Sequence, residues 1–71
     1  MVKVYRNRVK SLRCNAGLTQ EELGKKCGLS QNSISDIENY KTTPSIKNAL
    51  DLAEALEVSV DKLFWFDYHL I

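Results

Sequence analysis

The chain has 71 residues, of which 44% are hydrophobic and 27% are charged, and its formal net charge is +1. That length allows one domain with a modest core, and no apolar run approaches the roughly 20 residues that cross a membrane. The basic N-terminus is not followed by the apolar stretch of a signal peptide, so we expect a single cytoplasmic domain over residues 1–71 without a membrane partner.

The two cysteines do not indicate a metal site. Cys14 and Cys27 are too few and too widely spaced for a zinc site of the CxxC type. A single disulfide between them can form, but free thiols are favoured in the cytoplasm, with Cys27 as a small core residue. We therefore expect no metal and no organic cofactor.

Charge is distributed unevenly along the chain. Residues 1–41 hold eight Lys or Arg and four acids, a net charge of +4, whereas residues 42–71 hold two Lys and five acids, a net charge of −3. A basic half that faces phosphates, with an acidic half behind it, fits nucleic-acid binding. An ordinary mixed surface accounts for the same imbalance equally well, so charge alone does not decide.

The N-terminal segment predicts a strand followed by a helix. Residues 2–5 alternate weakly in polarity, as a short strand does. Asn7 can cap a first helix over about residues 8–16. Gly17 then supplies the left-handed residue that commonly ends a helix.

A second helix follows at once and ends at a sharp turn. Thr19 and Glu22 have the spacing of a capping box, which opens a helix to about Cys27. Gly28 breaks this helix and tolerates the positive φ that a tight turn requires. A small residue must lie where two steeply crossing helices nearly touch, and Gly24 is at that position.

The third helix completes a predicted helix-turn-helix. Ser30 caps it, and it runs over about residues 31–39. Apolar residues must fill the angle between the second and third helices. Five residues have the offsets to do so: Leu23, Cys27, Leu29, Ile34 and Ile37.

Two more helices are predicted after this motif. Thr43 and Pro44 read as a cap followed by proline at the first helical position, which opens a fourth helix over about residues 44–56. Its apolar stripe is Ile46, Ala49, Leu52, Ala53 and Leu56. Ser59 caps a short fifth helix. The apolar residues of that helix are Val60, Leu63 and Phe64.

The C-terminal tail, residues 65–71, follows a helical core over about residues 7–64 and predicts a strand. Its hydrophobic period becomes two, which puts Phe64, Phe66, Tyr68 and Leu70 on one face. An exposed apolar edge strand must be covered. Residues 2–5 can cover part of it and a second subunit the rest, so we predict a two-fold homodimer, with a monomer whose tail is packed or frayed as the alternative. The predicted dimerisation residues are Phe64, Trp65, Phe66, Tyr68 and Leu70.

The outer surface of the third helix is predicted to contact DNA. With Ile34 and Ile37 facing inward, the outward residues are Gln31, Asn32, Ser35 and Asp36, with Ser33 beside them. Gln and Asn can bind adenine through two hydrogen bonds, and Ser adapts to several bases. Helix N-termini attract phosphate, so Thr19, Gln20 and Ser30 are expected to hold the DNA backbone together with Ser33. A polar helix face that is only solvated is the alternative.

The segment from Asn7 to Phe64 resembles the Cro/C1-type helix-turn-helix regulators. The motifs that carry the resemblance are NRVKSLR, GLTQEELGKKCGLSQNSISDIENYK, PS and LAEALEVSVDKLF. The resemblance implies an all-α, five-helix domain like that of lambda repressor, here with a short β appendage formed by the two termini. It also implies a transcriptional regulator, a repressor in the leading interpretation, that reads a palindromic operator in double-stranded DNA as a homodimer.

Specific roles come with this resemblance. It implies phosphate contacts at Gln20, Asn39 and Lys41. It implies base reading by Gln31, Asn32 and Asp36. It also implies an ion pair between Arg13 and Glu38. The sequence itself supports this ion pair, because Glu38 follows the inward-facing Ile37 and needs a partner near the first helix. A solvated Glu38 is the alternative.

Three residues depart from the family pattern. Asp36 stands where Arg, Lys or Gln is common; a carboxylate can accept from cytosine N4 but repels phosphate. Tyr40 and Glu57 stand where a helix-ending glycine is common. Either the two turns differ from those of the family, or each residue adopts an unfavourable positive φ.

Other classes of function fit less well. His69 is the sole histidine, no nucleophile, base and acid surround it in sequence, and no glycine-rich phosphate loop exists, so we expect no catalytic residues and no small-molecule ligand. The main alternative is a module whose chief partner is another protein, such as an antitoxin. An exposed patch at Trp65 and Phe66 would suit that role.

Overall fold

The computed structural model describes residues 1–70, so Ile71, the last residue of the predicted tail, lies outside the described residues. The elements are β1 (Val2–Asn7), α1 (Val9–Asn15), α2 (Gln20–Cys27), α3 (Gln31–Glu38), α4 (Ile46–Ala55), α5 (Val60–Leu63) and β2 (Phe64–His69). The predicted five helices and terminal strands are therefore confirmed. None of the helices in residues 1–70 is long and apolar enough to cross a membrane.

The first helix begins one residue later than predicted. Arg8 occupies the cap position without a side-chain hydrogen bond, and α1 begins at Val9. Asn7 still satisfies one free backbone donor, because its Oδ1 accepts from the Val9 N–H at 3.1 Å. Gly17 has the predicted left-handed conformation, with φ +73°.

The caps predicted for α2 and α3 are confirmed. The Thr19 hydroxyl accepts from the Glu22 N–H at 3.1 Å, and the Thr19 N–H donates to the Glu22 carboxylate at 2.9 Å. The bond from the Thr19 N–H to the carboxylate lowers the pKa of Glu22, because it stabilises the charged form. The Ser30 hydroxyl accepts from the Ser33 N–H at 3.1 Å.

The predicted start of the fourth helix is wrong. Ser45, not Thr43, is the cap, since its hydroxyl accepts from the Asn48 N–H at 3.1 Å, and α4 begins at Ile46. Pro44 therefore lies before the cap, where a fixed φ and a missing N–H suit extended backbone. Ile46, the first residue of the predicted apolar stripe, is 82% exposed because it occupies the first turn of α4, whereas Leu52 and Ala53 farther along the helix are buried.

The fifth helix also differs from its prediction. Phe64 ends the helix and begins β2 with φ −131° and ψ 130°, so it belongs to the sheet rather than to α5. Val60 is 37% exposed, whereas Leu63 is fully buried. Ser59 occupies the cap position without a side-chain hydrogen bond to the backbone of the helix.

Each helix contributes one fully buried side chain to the core. These side chains are Val9, Leu23, Ile34, Leu52 and Leu63. Full burial of such a side chain contributes about 1.5–3 kcal/mol. The core thus lies between all five helices and fixes their relative positions.

The termini form a two-stranded antiparallel sheet, here called the terminal sheet. Its register pairs Val2 with His69 at one end and Asn7 with Phe64 at the other. Directly paired residues point to the same face. The face that contains Tyr5, Phe66 and Tyr68 therefore matches the predicted apolar face of the tail.

The two residues in place of the expected glycines do adopt positive φ. Tyr40 has φ 61° and Glu57 has φ 58°. Such a conformation costs a non-glycine residue about 1–2 kcal/mol. The two turns therefore have the backbone conformation that glycine favours, and Tyr40 and Glu57 are strained in it.

This strain gives opposite expectations at the two positions. Glu57 is exposed, so Glu57→Gly should raise the free energy of unfolding by roughly 0.5–1 kcal/mol once the entropy of glycine is subtracted. Tyr40→Gly relieves the same strain but removes contacts to Tyr5 and Asn7, and should lower stability by about 1 kcal/mol. Urea denaturation of both variants measures this; stabilisation by Tyr40→Gly would contradict it.

Candidate nucleic-acid interface

A close approach between backbones forms the corner between α2 and α3. Gly24 is buried, and a Cβ at this position would collide with the carbonyl oxygen of Leu29. The Gly24 carbonyl in turn accepts from the Gly28 N–H and from the Leu29 N–H at 2.8 Å. Gly28 has φ +72°, the left-handed conformation that turns the chain. Both predicted glycine roles at the corner are therefore confirmed.

Apolar side chains fill the inside of this corner. Leu23 and Ile34 are fully buried, and Ile37 is 3% exposed. Cys27 is a buried free thiol, its Sγ lies 3.7 Å from the Asp51 carbonyl, and burial raises its pKa. With this face inward, the opposite face of α3 must point away from the core.

The first turn of α3 presents two amide side chains. Gln31 and Asn32 are both exposed. They are followed on the same helix by Ser35 and Asp36, which are half-buried. The structure thus brings the four predicted base-reading residues onto one helix, with the two amides the most accessible.

The C-terminal end of α3 is closed by backbone and side-chain bonds. The Asp36 carbonyl accepts from the Lys41 N–H at 2.8 Å. Asn39 Nδ2 donates to the Ser35 carbonyl at 2.9 Å and lies 3.3 Å from its hydroxyl. The predicted phosphate-contacting residues Asn39 and Lys41 are therefore part of a short ordered turn, and the Asn39 side chain folds back onto α3.

The remaining predicted phosphate-contacting residues lie at helix N-termini. Thr19 and Ser30 cap α2 and α3, and the Ser30 hydroxyl donates to the Ser33 hydroxyl at 3.0 Å. Gln20 opens α2, and its Nε2 donates to Glu38 Oε1 at 3.1 Å. Contact between Gln20 and Glu38 was not anticipated from the sequence, because no local pattern links residues 18 positions apart.

A buried carboxylate connects α1, α2 and α3. Arg13 Nε donates to Glu38 Oε2 at 2.6 Å and Arg13 Nη2 to Glu38 Oε1 at 3.2 Å. Only 1% of the Glu38 side chain and 11% of the Arg13 side chain are exposed. Glu38 also raises the pKa of Arg13, whose Nη1 donates to the Leu18 carbonyl at 2.9 Å. Glu38 is thus paired and not solvated.

The predicted dimerisation residues separate into two groups. Phe66, Tyr68 and Leu70 are 51%, 62% and 87% exposed. Phe64 and Trp65 are half-buried; Trp65 lies beneath Arg8, with the guanidinium 4.6 Å from the centre of its ring. The Trp65–Phe66 patch considered for a protein partner is therefore only partly open. A shallow apolar cleft of about 260 Å³ adjoins it, lined by Tyr5, Thr43, Phe64, Trp65 and Phe66.

Within residues 1–70, no group of three His, Cys, Asp or Glu side chains is placed to hold a metal ion.

Loss of the buried carboxylate should destabilise the domain strongly. Glu38→Ala leaves Arg13 without its partner and Gln20 without its acceptor, so the free energy of unfolding should fall by about 3–5 kcal/mol. Gln20→Ala removes one neutral donor and should lower the free energy of unfolding by only about 1–2 kcal/mol. Chemical denaturation measures both.

A double variant is the control. Arg13→Met combined with Glu38→Leu removes both charges and should cost less than Glu38→Ala alone, because no buried charge is left unpaired. Equal stability of the wild type and Glu38→Ala would contradict the structural role of the pair.

Known proteins are similar to this chain in both sequence and fold. A family model described as helix-turn-helix matches residues 9–63. An uncharacterized HTH-type transcriptional regulator from Archaeoglobus fulgidus is 37% identical over 62 residues, which cover 87% of this chain and 89% of the relative. The extent of these matches agrees with the segment that carries the predicted resemblance.

Two solved structures extend the comparison. The P22 c2 repressor in complex with a synthetic operator has a TM-score of 0.74 and 37% identity, covering 76% of this chain and 82% of its own. The restriction-modification controller protein C.AhdI from Aeromonas hydrophila has a TM-score of 0.77 and 35% identity, covering 80% and 86%. The predicted repressor-like fold is thereby confirmed.

Proposed function

This chain belongs to the Cro/C1-type helix-turn-helix family of transcriptional regulators, and from that premise we propose that residues 1–71 form a single domain that represses transcription by binding an operator in double-stranded DNA. Occupancy of a promoter is sufficient for repression, without catalysis or a cofactor, and the protein would act in the cytoplasm. The observation that carries the proposal is the exposed pair Gln31 and Asn32 at the start of α3, opposite the buried corner.

In this proposal α3 enters the major groove. Gln31 and Asn32 bind adenine edges through paired hydrogen bonds, and Ser35 adapts to its neighbouring base. Asp36 accepts from cytosine N4, the base-edge donor that a carboxylate suits. The P22 c2 repressor, 37% identical to this chain, was solved in complex with a synthetic operator, which supports DNA as the partner.

Phosphates are held from the two helix N-termini and the turn after α3. Unpaired amides and the helix dipole favour an anion at the start of α2 and of α3. One amide hydrogen of Gln20 goes to Glu38, and the second hydrogen on the same nitrogen remains for a phosphate. The proposed phosphate contacts are Thr19, Gln20, Ser30, Ser33, Asn39 and Lys41.

We also propose a two-fold homodimer that forms through the terminal sheet. Phe66, Tyr68 and Leu70 are more than half exposed, which is costly for apolar side chains in water. A strand edge beside them offers unpaired backbone groups to a second copy. Two copies of α3 about 34–36 Å apart would read two half-sites of a palindrome.

Removal of the two amides tests the reading surface. Gln31→Ala combined with Asn32→Ala should weaken binding to the operator at least about 30-fold, because each paired contact is worth roughly 1–3 kcal/mol. Non-specific binding to unrelated duplexes should change little, because phosphate contacts remain. Fluorescence anisotropy on both duplexes measures this.

A matched variant controls for lost amides in general. Asn15→Ala removes an exposed amide from α1 and should leave operator affinity unchanged. Operator binding that survives the double change would show that α3 is not the reading surface.

The dimer is tested by mass in solution. Sedimentation equilibrium at micromolar concentration should give a mass near twice 8.1 kDa. Phe66→Glu combined with Tyr68→Glu should reduce this to the monomer, because charges would be buried without partners. A wild-type mass near 8.1 kDa would overturn the homodimer.

A further inference from the structure

Tyr40 connects the turn after α3 to the terminal sheet. It lies between Asn39 and Lys41, two of the proposed phosphate contacts. Its hydroxyl accepts from the Asn7 N–H at 3.1 Å and lies 3.4 Å from the Asn7 carbonyl, to which it can donate. Since Asn7 is the last residue of β1, these contacts join elements that are 33 residues apart in the chain.

We propose that Tyr40 is a positioning residue whose hydroxyl fixes the terminal sheet relative to α3. The inference rests on the proposed homodimer: if the sheet holds the second subunit, its orientation sets the distance between the two copies of α3. Tyr40 would thereby determine which spacing of half-sites the dimer accepts, without itself contacting a base.

The turn that carries Tyr40 is hydrogen-bonded to α3. The Tyr40 N–H donates to the Ile37 carbonyl at 3.3 Å, and the Lys41 N–H donates to the Asp36 carbonyl at 2.8 Å. The backbone at Tyr40 is held at φ 61°, a conformation that glycine adopts at less cost. The side chain at this position therefore starts from a fixed point on the recognition helix.

The ring of Tyr40 continues into a line of aromatic residues. It meets Tyr5 edge to face at 5.7 Å, and Tyr5 stacks on Phe64 at 6.4 Å. This line crosses from the turn to β1 and then to β2. Asn7 adds a second connection, because its Nδ2 donates to the Ile37 carbonyl at 3.2 Å.

A rigid connection has a measurable consequence on DNA. Each base pair moves a half-site about 3.4 Å along the duplex and rotates it by roughly one tenth of a turn. If the terminal sheet is fixed relative to α3, the dimer must distort itself or the DNA to accept a different spacing. If the sheet is loosely held, the dimer accepts several spacings with similar affinity.

The chain contains a matched pair of tyrosines for the test. Tyr40→Phe keeps the ring and removes the hydroxyl that contacts Asn7. Tyr5→Phe removes a hydroxyl that is buried and makes no hydrogen bond within residues 1–70. Both variants lose one oxygen beside the same sheet, but only the first loses the proposed connection.

Affinity is measured on the selected operator and on duplexes whose half-sites lie one base pair closer or farther apart. When the spacing departs from the optimum, the affinity of the wild type and of Tyr5→Phe should fall about tenfold or more. The affinity of Tyr40→Phe should fall less than about threefold. A spacing profile of Tyr40→Phe that matches the wild type would overturn the proposal, whatever its effect on stability.

A second measurement separates this inference from the proposed function. Residual dipolar couplings of the free protein report how Val2–Asn7 and Phe64–His69 are oriented relative to the helices. In wild type and Tyr5→Phe the sheet and helices should share one alignment, whereas in Tyr40→Phe the sheet should show reduced order. Failure of the wild type to dimerise or to bind an operator contradicts the proposed function; an unchanged sheet in Tyr40→Phe contradicts the role of Tyr40.

Discussion

The approach of Gly24 to the Leu29 carbonyl is the constraint on which the rest of the structure depends. Because this position has no Cβ, α2 and α3 can meet closely enough for Leu23 and Ile34 to be fully buried in the angle between them. Burial of that face leaves only one face of α3 for solvent or a ligand. The exposure of Gln31 and Asn32 therefore follows from the backbone contact at the corner.

A second constraint is electrostatic. Glu38 is almost fully buried, and a carboxylate in that environment persists only when it is paired and hydrogen-bonded. Arg13 from α1 and Gln20 from α2 supply those bonds, so one group on α3 holds three helices together. The same bond orients the Gln20 amide at the start of α2, which connects the stability of the fold to the proposed phosphate contacts.

Local rules predicted much of the fold, and contacts distant in sequence accounted for the rest. The capping box of Thr19 and the glycines of the corner follow from spacing and backbone conformation, and the helix-turn-helix followed from them. The predicted start of α4 was wrong because Ser45, two residues after the predicted cap and next to Pro44, takes the capping position. Sequence left open whether Tyr40 keeps a glycine-like φ, because the contacts with β1 that hold its side chain are distant in the chain.

Selection of bound sites from random duplexes tests the central claim most directly. If α3 of each subunit reads the major groove, the enriched sequences should contain two inverted half-sites whose centres lie about 10–10.5 base pairs, or a multiple of that, apart. A pool that remains random after repeated rounds, at salt concentrations where non-specific binding is weak, would contradict base reading by this surface.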